Sequence, residues 1–169
     1  ITALTHFNMR TFLDGSLNVK CSADNWKTAS DPGTFAPKQL NVSNWVESYK
    51  ALGATSAVLT FKHDCGFVLF DSNVTLPGAK TYPYSVMRPG ALQRDVGREW
   101  LSTVRAAGIK TGVYYSLGEN FFLNRHSYKK KEKKPLPGQI DVSDAEFAAF
   151  AVAQLEEIWC TMGPMHELW

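Results

Sequence analysis

Three times along the chain an amphipathic helical pattern stops at a glycine and a short apolar run begins. This recurrence constrains the fold more than any other feature. The first stripe, Trp45, Val46, Tyr49 and Leu52, ends at Gly53 and gives way to the run 56–61. The second, Val96, Trp100, Leu101, Val104 and Ala107, ends at Gly108 before Lys110 to Tyr115. The third opens on Ser143-Asp-Ala-Glu146, the spacing of a capping box. It carries Phe147, Phe150, Ala151, Leu155 and Ile158 on one face, ends at Gly163, and leads into Met165 to Trp169. Glycine suits the left-handed position that follows a helix. The interval between these glycines is constant, 108 − 53 = 55 and 163 − 108 = 55. An apolar run from Ala3 to Phe7 supplies a leading strand, so the pattern is β-(αβ)₃ with strands of the kind buried in a parallel sheet.

Two architectures share that pattern, an open doubly wound sheet and a (β/α)₈ barrel. No glycine-rich phosphate loop follows any strand, which argues against a nucleotide-binding open sheet. The expectation is therefore an α/β chain forming the first half of a TIM-type (β/α)₈ barrel, with about four strands and three helices. The last strand would fray without a covering helix, so residues 1–169 are read as the amino-terminal part of a larger barrel. Trp45, Trp100 and Trp159 are read as helix-to-sheet packing.

Composition excludes more than it selects. The 169 residues are 44% apolar and 20% charged, with a net charge of +2. That balance predicts neither a nucleic-acid nor a membrane partner, and no apolar run approaches the roughly 18 residues of a membrane span. The basic run from Lys129 to Lys134 reads as a solvated loop, since Pro135, Pro137 and Gly138 follow it. Cys21, Cys65 and Cys160 are too few and too widely spaced for a disulfide framework, and their odd number leaves at least one unpaired within the chain. Asn41-Val-Ser43 and Asn73-Val-Thr75 are glycan acceptors if the protein is secreted.

In barrels the chemistry gathers at the carboxyl ends of the strands. Those ends carry His6, then His63 and Asp64, then Tyr114 and Tyr115, then Trp169. Such a polar and aromatic rim is what a sugar pocket requires: aromatic faces cover the apolar side of the ring and polar groups bind its hydroxyls. Strand alternation lets only one of the two tyrosines face the pocket. Tyr115 is assigned to it and Tyr114 to helix packing. Glycoside hydrolysis needs two carboxyl groups about 5–9.5 Å apart; Asp14, Asp64 and Glu119 are available, and none forms an evident pair. A metal set drawn from His6, His63, Asp64, His126 and His166 lacks ligand spacing, and a Cys65–His63 nucleophile pair lacks an orienting partner. No cofactor is expected.

The segment Ala57-Val-Leu-Thr-Phe-Lys-His-Asp-Cys-Gly-Phe67 resembles the L-T-x-K-H-x-x-G-F segment of retaining α-L-fucosidases. His6-Phe-Asn-Met-Arg-Thr-Phe12, Phe35-Ala-Pro37, Ser72-Asn-Val-Thr-Leu-Pro77, Ala107 to Ser116 and Leu136-Pro-Gly-Gln139 resemble further family segments in the same order. The resemblance implies hydrolysis of terminal α-linked L-fucose from glycoconjugates with retention, through an aspartyl glycosyl-enzyme. It implies that His6, Trp26, His63, Asp64, Tyr115 and Trp169 contact the sugar, although Asn25 and Asp64 depart from the glutamate and histidine common there. It places the nucleophilic aspartate two residues beyond Trp169 and the acid/base further on, so no catalytic carboxylate is expected within these residues. A carboxyl-terminal β-sandwich and a lysosomal or secreted location are implied as well. A non-catalytic, lectin-like half-barrel is the alternative, and its exposed edge would favour a homo-oligomer.

Overall fold

The computed structural model describes residues 1–13, 20–78, 80–125 and 134–169. Asp14, His126 and the basic run up to Lys133 lie outside the described residues. In chain order the elements are β1 (Thr2–Thr5), a 3-10 turn (Met9–Phe12), the one-turn helix α1 (Trp26–Ala29), a second 3-10 turn (Pro32–Thr34) and α2 (Val42–Ala51). Then come β2 (Ser56–Lys62), β3 (Thr75–Leu76), β4 (Lys80–Thr81), α3 (Val96–Ala106) and β5 (Lys110–Tyr115). A third 3-10 turn (Phe121–Leu123), α4 (Asp144–Thr161) and β6 (Glu167–Leu168) complete the order.

Each long helix begins where a side chain accepts from an otherwise unpaired backbone amide. Asn41 caps α2 through the Asn44 amide, Asp95 caps α3 through that of Arg98, and Ser143 and Glu146 form the expected reciprocal box on α4. Such caps contribute about 1 kcal/mol each. Gly53, Gly108 and Gly163 follow the three helices with positive φ, as the sequence pattern requires.

β1, β2, β5 and β6 pair in parallel and in chain order, giving one four-stranded sheet beside the small β3–β4 hairpin. All three long helices reach the same face of this sheet. Tyr49 of α2 shares hydrogen bonds with Thr5 (2.6 Å) and with Trp100 of α3 (3.2 Å). The Tyr115 hydroxyl donates to Gln154 of α4 at 2.7 Å. Ala57, Leu59, Phe61 and Val113 are fully buried in this core together with Trp100. Trp45 packs edge-on against Phe7, whereas Trp159 is 52% exposed and takes no part in the helix-to-sheet packing expected of it. α4 instead turns Phe150, Gln154 and Ile158 inward, and Gln154, a buried polar residue, is satisfied by Tyr115 and Ser72.

Among the described residues, no long helix packs on the other face. Strand register aligns Leu4, Val58, Gly112 and Glu167 across it in one row. Gly112 is required there by space, because a Cβ at this position would lie 2.9 Å from both Val58 Cγ2 and Glu167 Cβ. Gly112→Ala is therefore expected to destabilise by about 1–3 kcal/mol through overpacking, read as a lowered denaturant midpoint with an unchanged slope.

Candidate functional site: a histidine and tyrosine cluster at the strand ends

The site depends on one irregularity in β2. Thr60 pairs with Tyr114 and Lys62 pairs with Tyr115, so Phe61 is an extra residue and the strand bulges between Thr60 and Lys62. A bulge re-aims the side chains that follow it. Lys62 consequently points with Phe61 to the helix side, and His63 emerges on the helix-free face. There its ring stacks on Tyr114, with centroids 5.4 Å apart and planes 19° from parallel. His6, leaving β1, touches both rings at 5.5 and 5.8 Å. Thr60 beneath them is fully buried and holds the exit of β1 through the Phe7 amide, at 3.1 Å.

His63 is oriented by Asp64. The His63 Nδ1 to Asp64 Oδ1 distance is 2.7 Å, and Arg10 Nη1 lies 3.4 Å from the same nitrogen. One nitrogen cannot both donate to the carboxylate and accept from the guanidinium. The shorter, charge-assisted contact decides the tautomer: Nδ1–H donates to Asp64, and Nε2 is left to meet a ligand. Asp64 itself is 4% exposed and also accepts from the backbone amides of Cys21 (3.1 Å) and Cys65 (3.0 Å). Burial alone would raise its pKa; the hydrogen bond and charge of His63, with Arg10 and the Cys21 amide, hold it below the ordinary carboxylate value. His6 is shifted down, chiefly by desolvation of its packed ring and then by the charges of His63 and Arg10, although the residue as a whole stays exposed.

Behind the cluster, Lys62 is completely buried. Its ammonium donates to the carbonyls of Ser116 and Glu119, the latter at 2.8 Å, and sits 4.6 Å above the Tyr115 ring. It therefore pins the loop after β5 to the end of β2. Desolvation pushes its pKa down to about 7, against a smaller opposite pull from Asp64 and Glu119. Gly66, in the turn after β2, has φ +92°, and a Cβ there would collide with Asn120 Oδ1 of the loop after β5.

The structure corrects several sequence expectations. The tyrosine assignment is reversed: Tyr114 joins His6 and His63, whereas Tyr115 is buried and bonded to Gln154, because the register that aligns Tyr114 with Thr60 turns Tyr115 to the helices. Trp26 is 3% exposed, with its indole donating to Pro137 O at 3.0 Å and its ring against Phe121, so it packs the loops rather than bordering open space. Asp64 is closed off beneath His63 rather than open to a ligand. Trp169 continues the rim, since its backbone pairs with Val113 and Tyr115, and it is 49% exposed with its indole on Glu167. Cys65 forms a disulfide with Cys21, which leaves no thiolate for a nucleophile, and Cys160 is free and exposed. The 44-residue separation of that pair carried no spacing signal. Arg10 and Lys62 went unremarked in sequence; a lysine inside an otherwise apolar strand was the available clue to the second. Among the described residues, no group of three His, Cys, Asp or Glu side chains converges to hold a metal.

The family model described as Alpha-L-fucosidase matches residues 19–169. The chain belongs to the alpha-L-fucosidase family. "Alpha-L-fucosidase 1" of Arabidopsis thaliana is 31% identical over 165 residues, which are 97% of this chain and 27% of the relative. The plasma alpha-L-fucosidase of Rattus norvegicus is 34% identical over 88 residues, covering 52% of this chain and 18% of its own. The chain thus spans about a quarter or less of these curated relatives. Among solved structures, the alpha-L-fucosidase AlfC of Lactobacillus casei, in complex with its alpha-L-fucose product, shares the fold with a TM-score of 0.74 at 21% identity, over 99% of this chain and 57% of that one.

The lowered pKa of Lys62 makes the stability of this fucosidase-family chain depend on pH. The folded state lowers the pKa of Lys62, so between about pH 7 and its ordinary value of 10.5 the unfolded chain binds more protons than the folded one. Stability therefore rises with pH across that window. Lys62→Met in the full-length protein is expected to remove most of this rise, checked by urea midpoints at pH 7 and pH 10.

Proposed function

We propose that the intact protein is a retaining exo-α-L-fucosidase and that this chain forms the sugar-binding wall of its pocket. The observation that carries the proposal is the convergence of His6, His63 and Tyr114 at the ends of β1, β2 and β5, with Trp169 continuing the rim at β6. Chain-order strands with every long helix on one face fit one wall of a (β/α)₈ barrel, in which the opposite face becomes the lumen. Tyr114 and Trp169 supply aromatic surface for the apolar face of a deoxy sugar. Nε2 of His63 and the His6 ring supply hydrogen bonds to its hydroxyls.

The nucleophile is assigned to an aspartate two residues beyond Trp169. Alternation along a strand puts that position on the same face as Trp169, beside the cluster. Asp64 is a poor substitute, since its two oxygens already accept three hydrogen bonds in the interior. A non-catalytic sugar-binding role is the second reading, favoured by that occupied state of Asp64, the carboxylate bonded to His63. The ligand class is in either case a fucosylated glycan. A secreted or lysosomal location is supported by the Cys21–Cys65 bridge, which needs an oxidising compartment.

The test is turnover of an aryl α-L-fucoside by the full-length protein, with product anomer followed by NMR. The expected outcome is initial release of the α-anomer. His63→Ala and Tyr114→Ala are expected to lower kcat/KM by roughly a hundredfold or more, on the order of 3 kcal/mol of lost transition-state binding. Tyr115→Phe, which removes the hydroxyl bonded to Gln154, is expected to lower it far less. Fucose binding without turnover would select the second reading. Equal losses from both tyrosines would sink the assignment of Tyr114 to the pocket.

A further inference from the structure

A groove of about 500 Å³ lies between α4 and the β3–β4 hairpin. Its walls are mostly apolar, with Leu76, Pro77, Ala149 and Phe150 among them, and two of its polar wall residues are Asn73 and Thr75. Those two are the acceptor and the hydroxyl residue of one sequon, Asn73-Val-Thr75. A glycan on Asn73 would therefore start from the groove's own edge.

The local structure holds this acceptor in place. Glu157 of α4 accepts from the backbone N–H of Asn73 and from the Ser72 hydroxyl, both at 2.7 Å, while Arg88 donates to Ser72 O at 2.7 Å. The backbone at Asn73 is thus tied to α4, and the residue itself is exposed. Asn41 differs. Its side-chain oxygen is engaged as the cap of α2, at 3.1 Å from the Asn44 amide, and it does not belong to this groove. The Cys21–Cys65 disulfide supplies an independent reason to place the chain where glycosylation occurs.

We propose that Asn73 carries an N-linked glycan whose first N-acetylhexosamine residues seat in the groove between the β3–β4 hairpin and α4. The acetamide methyl and the apolar ring face pack on Pro77, Ala149 and Ala153, above the buried Leu76 and Phe150, and the hydroxyls remain toward water at the rim. The glycan then covers apolar surface that water would otherwise contact, and it braces the hairpin against the helix. The proposal is independent of the catalytic reading.

The experiment is secretion of the full-length protein from a glycosylating host, followed by peptide mass mapping and by timed release with peptide N-glycosidase without denaturation. The expected result is an occupied Asn73, lost in Thr75→Ala, whose glycan is released at least about tenfold more slowly than in Ala149→Arg, where a long side chain fills the groove. A second readout is a nuclear Overhauser contact between the acetamide methyl and the Phe150 ring in protein bearing labelled glycan. An unoccupied Asn73 in secreted protein would overturn the proposal, as would equal release rates together with a missing Phe150 contact.

Discussion

One extra residue in β2 decides what the two faces of this sheet can do. Without the bulge at Phe61, strict alternation would aim Lys62 at the helix-free face and bury His63 among the helices. With it, a lysine is enclosed where backbone carbonyls and a tyrosine ring receive it, and a histidine stands beside Tyr114. The cost of enclosing an ammonium is high, and the structure meets it by spending Lys62 on the loop that follows β5. The loop's position and the half-buried stack of His63 on Tyr114 are therefore two consequences of the same break in pairing.

Asp64 plays the complementary part on the other side of the chain. It gathers the His63 ring and the amides of Cys21 and Cys65, drawing the first long loop against the end of β2. Because its capacity is used internally, its work is to fix a tautomer and a ring orientation. A histidine at this position could donate or accept with its own ring, but could not receive three donors at once. The substitution relative to the common family pattern thus reads as a different way of holding the same neighbour.

The sheet-and-helix frame was legible because its signals are local. Helix stripes, the Ser143–Glu146 box and the glycines after each helix depend on residues within a turn of one another, and the observed boundaries fall within a residue or two of those read from them. The rim was legible as a set of strand ends, which follows from topology. What failed depended on long-range register. Choosing between Tyr114 and Tyr115 needed the pairing with Thr60, and Trp26 needed its partners Pro137 and Phe121, more than ninety residues away in sequence. The Cys21–Cys65 bond belongs to the same class, since no short spacing announces it. Trp159 failed for another reason: it lies outside the apolar stripe of α4, and its size alone suggested burial.

The Cys21–Cys65 link ties two segments that the parallel sheet itself does not join, and one of them presents an amide to Asp64. In a reducing cytosol the strands and helices keep every hydrogen bond that defines them, yet the first loop loses its covalent cross-link and rests on hydrogen bonds such as those of the Cys21 amide to Asp64 and the Trp26 indole to Pro137 O. A recombinant host lacking an oxidising route would therefore yield protein with native secondary structure and an unsealed floor beneath His63. For this chain, the choice of expression compartment is part of the chemistry of the site.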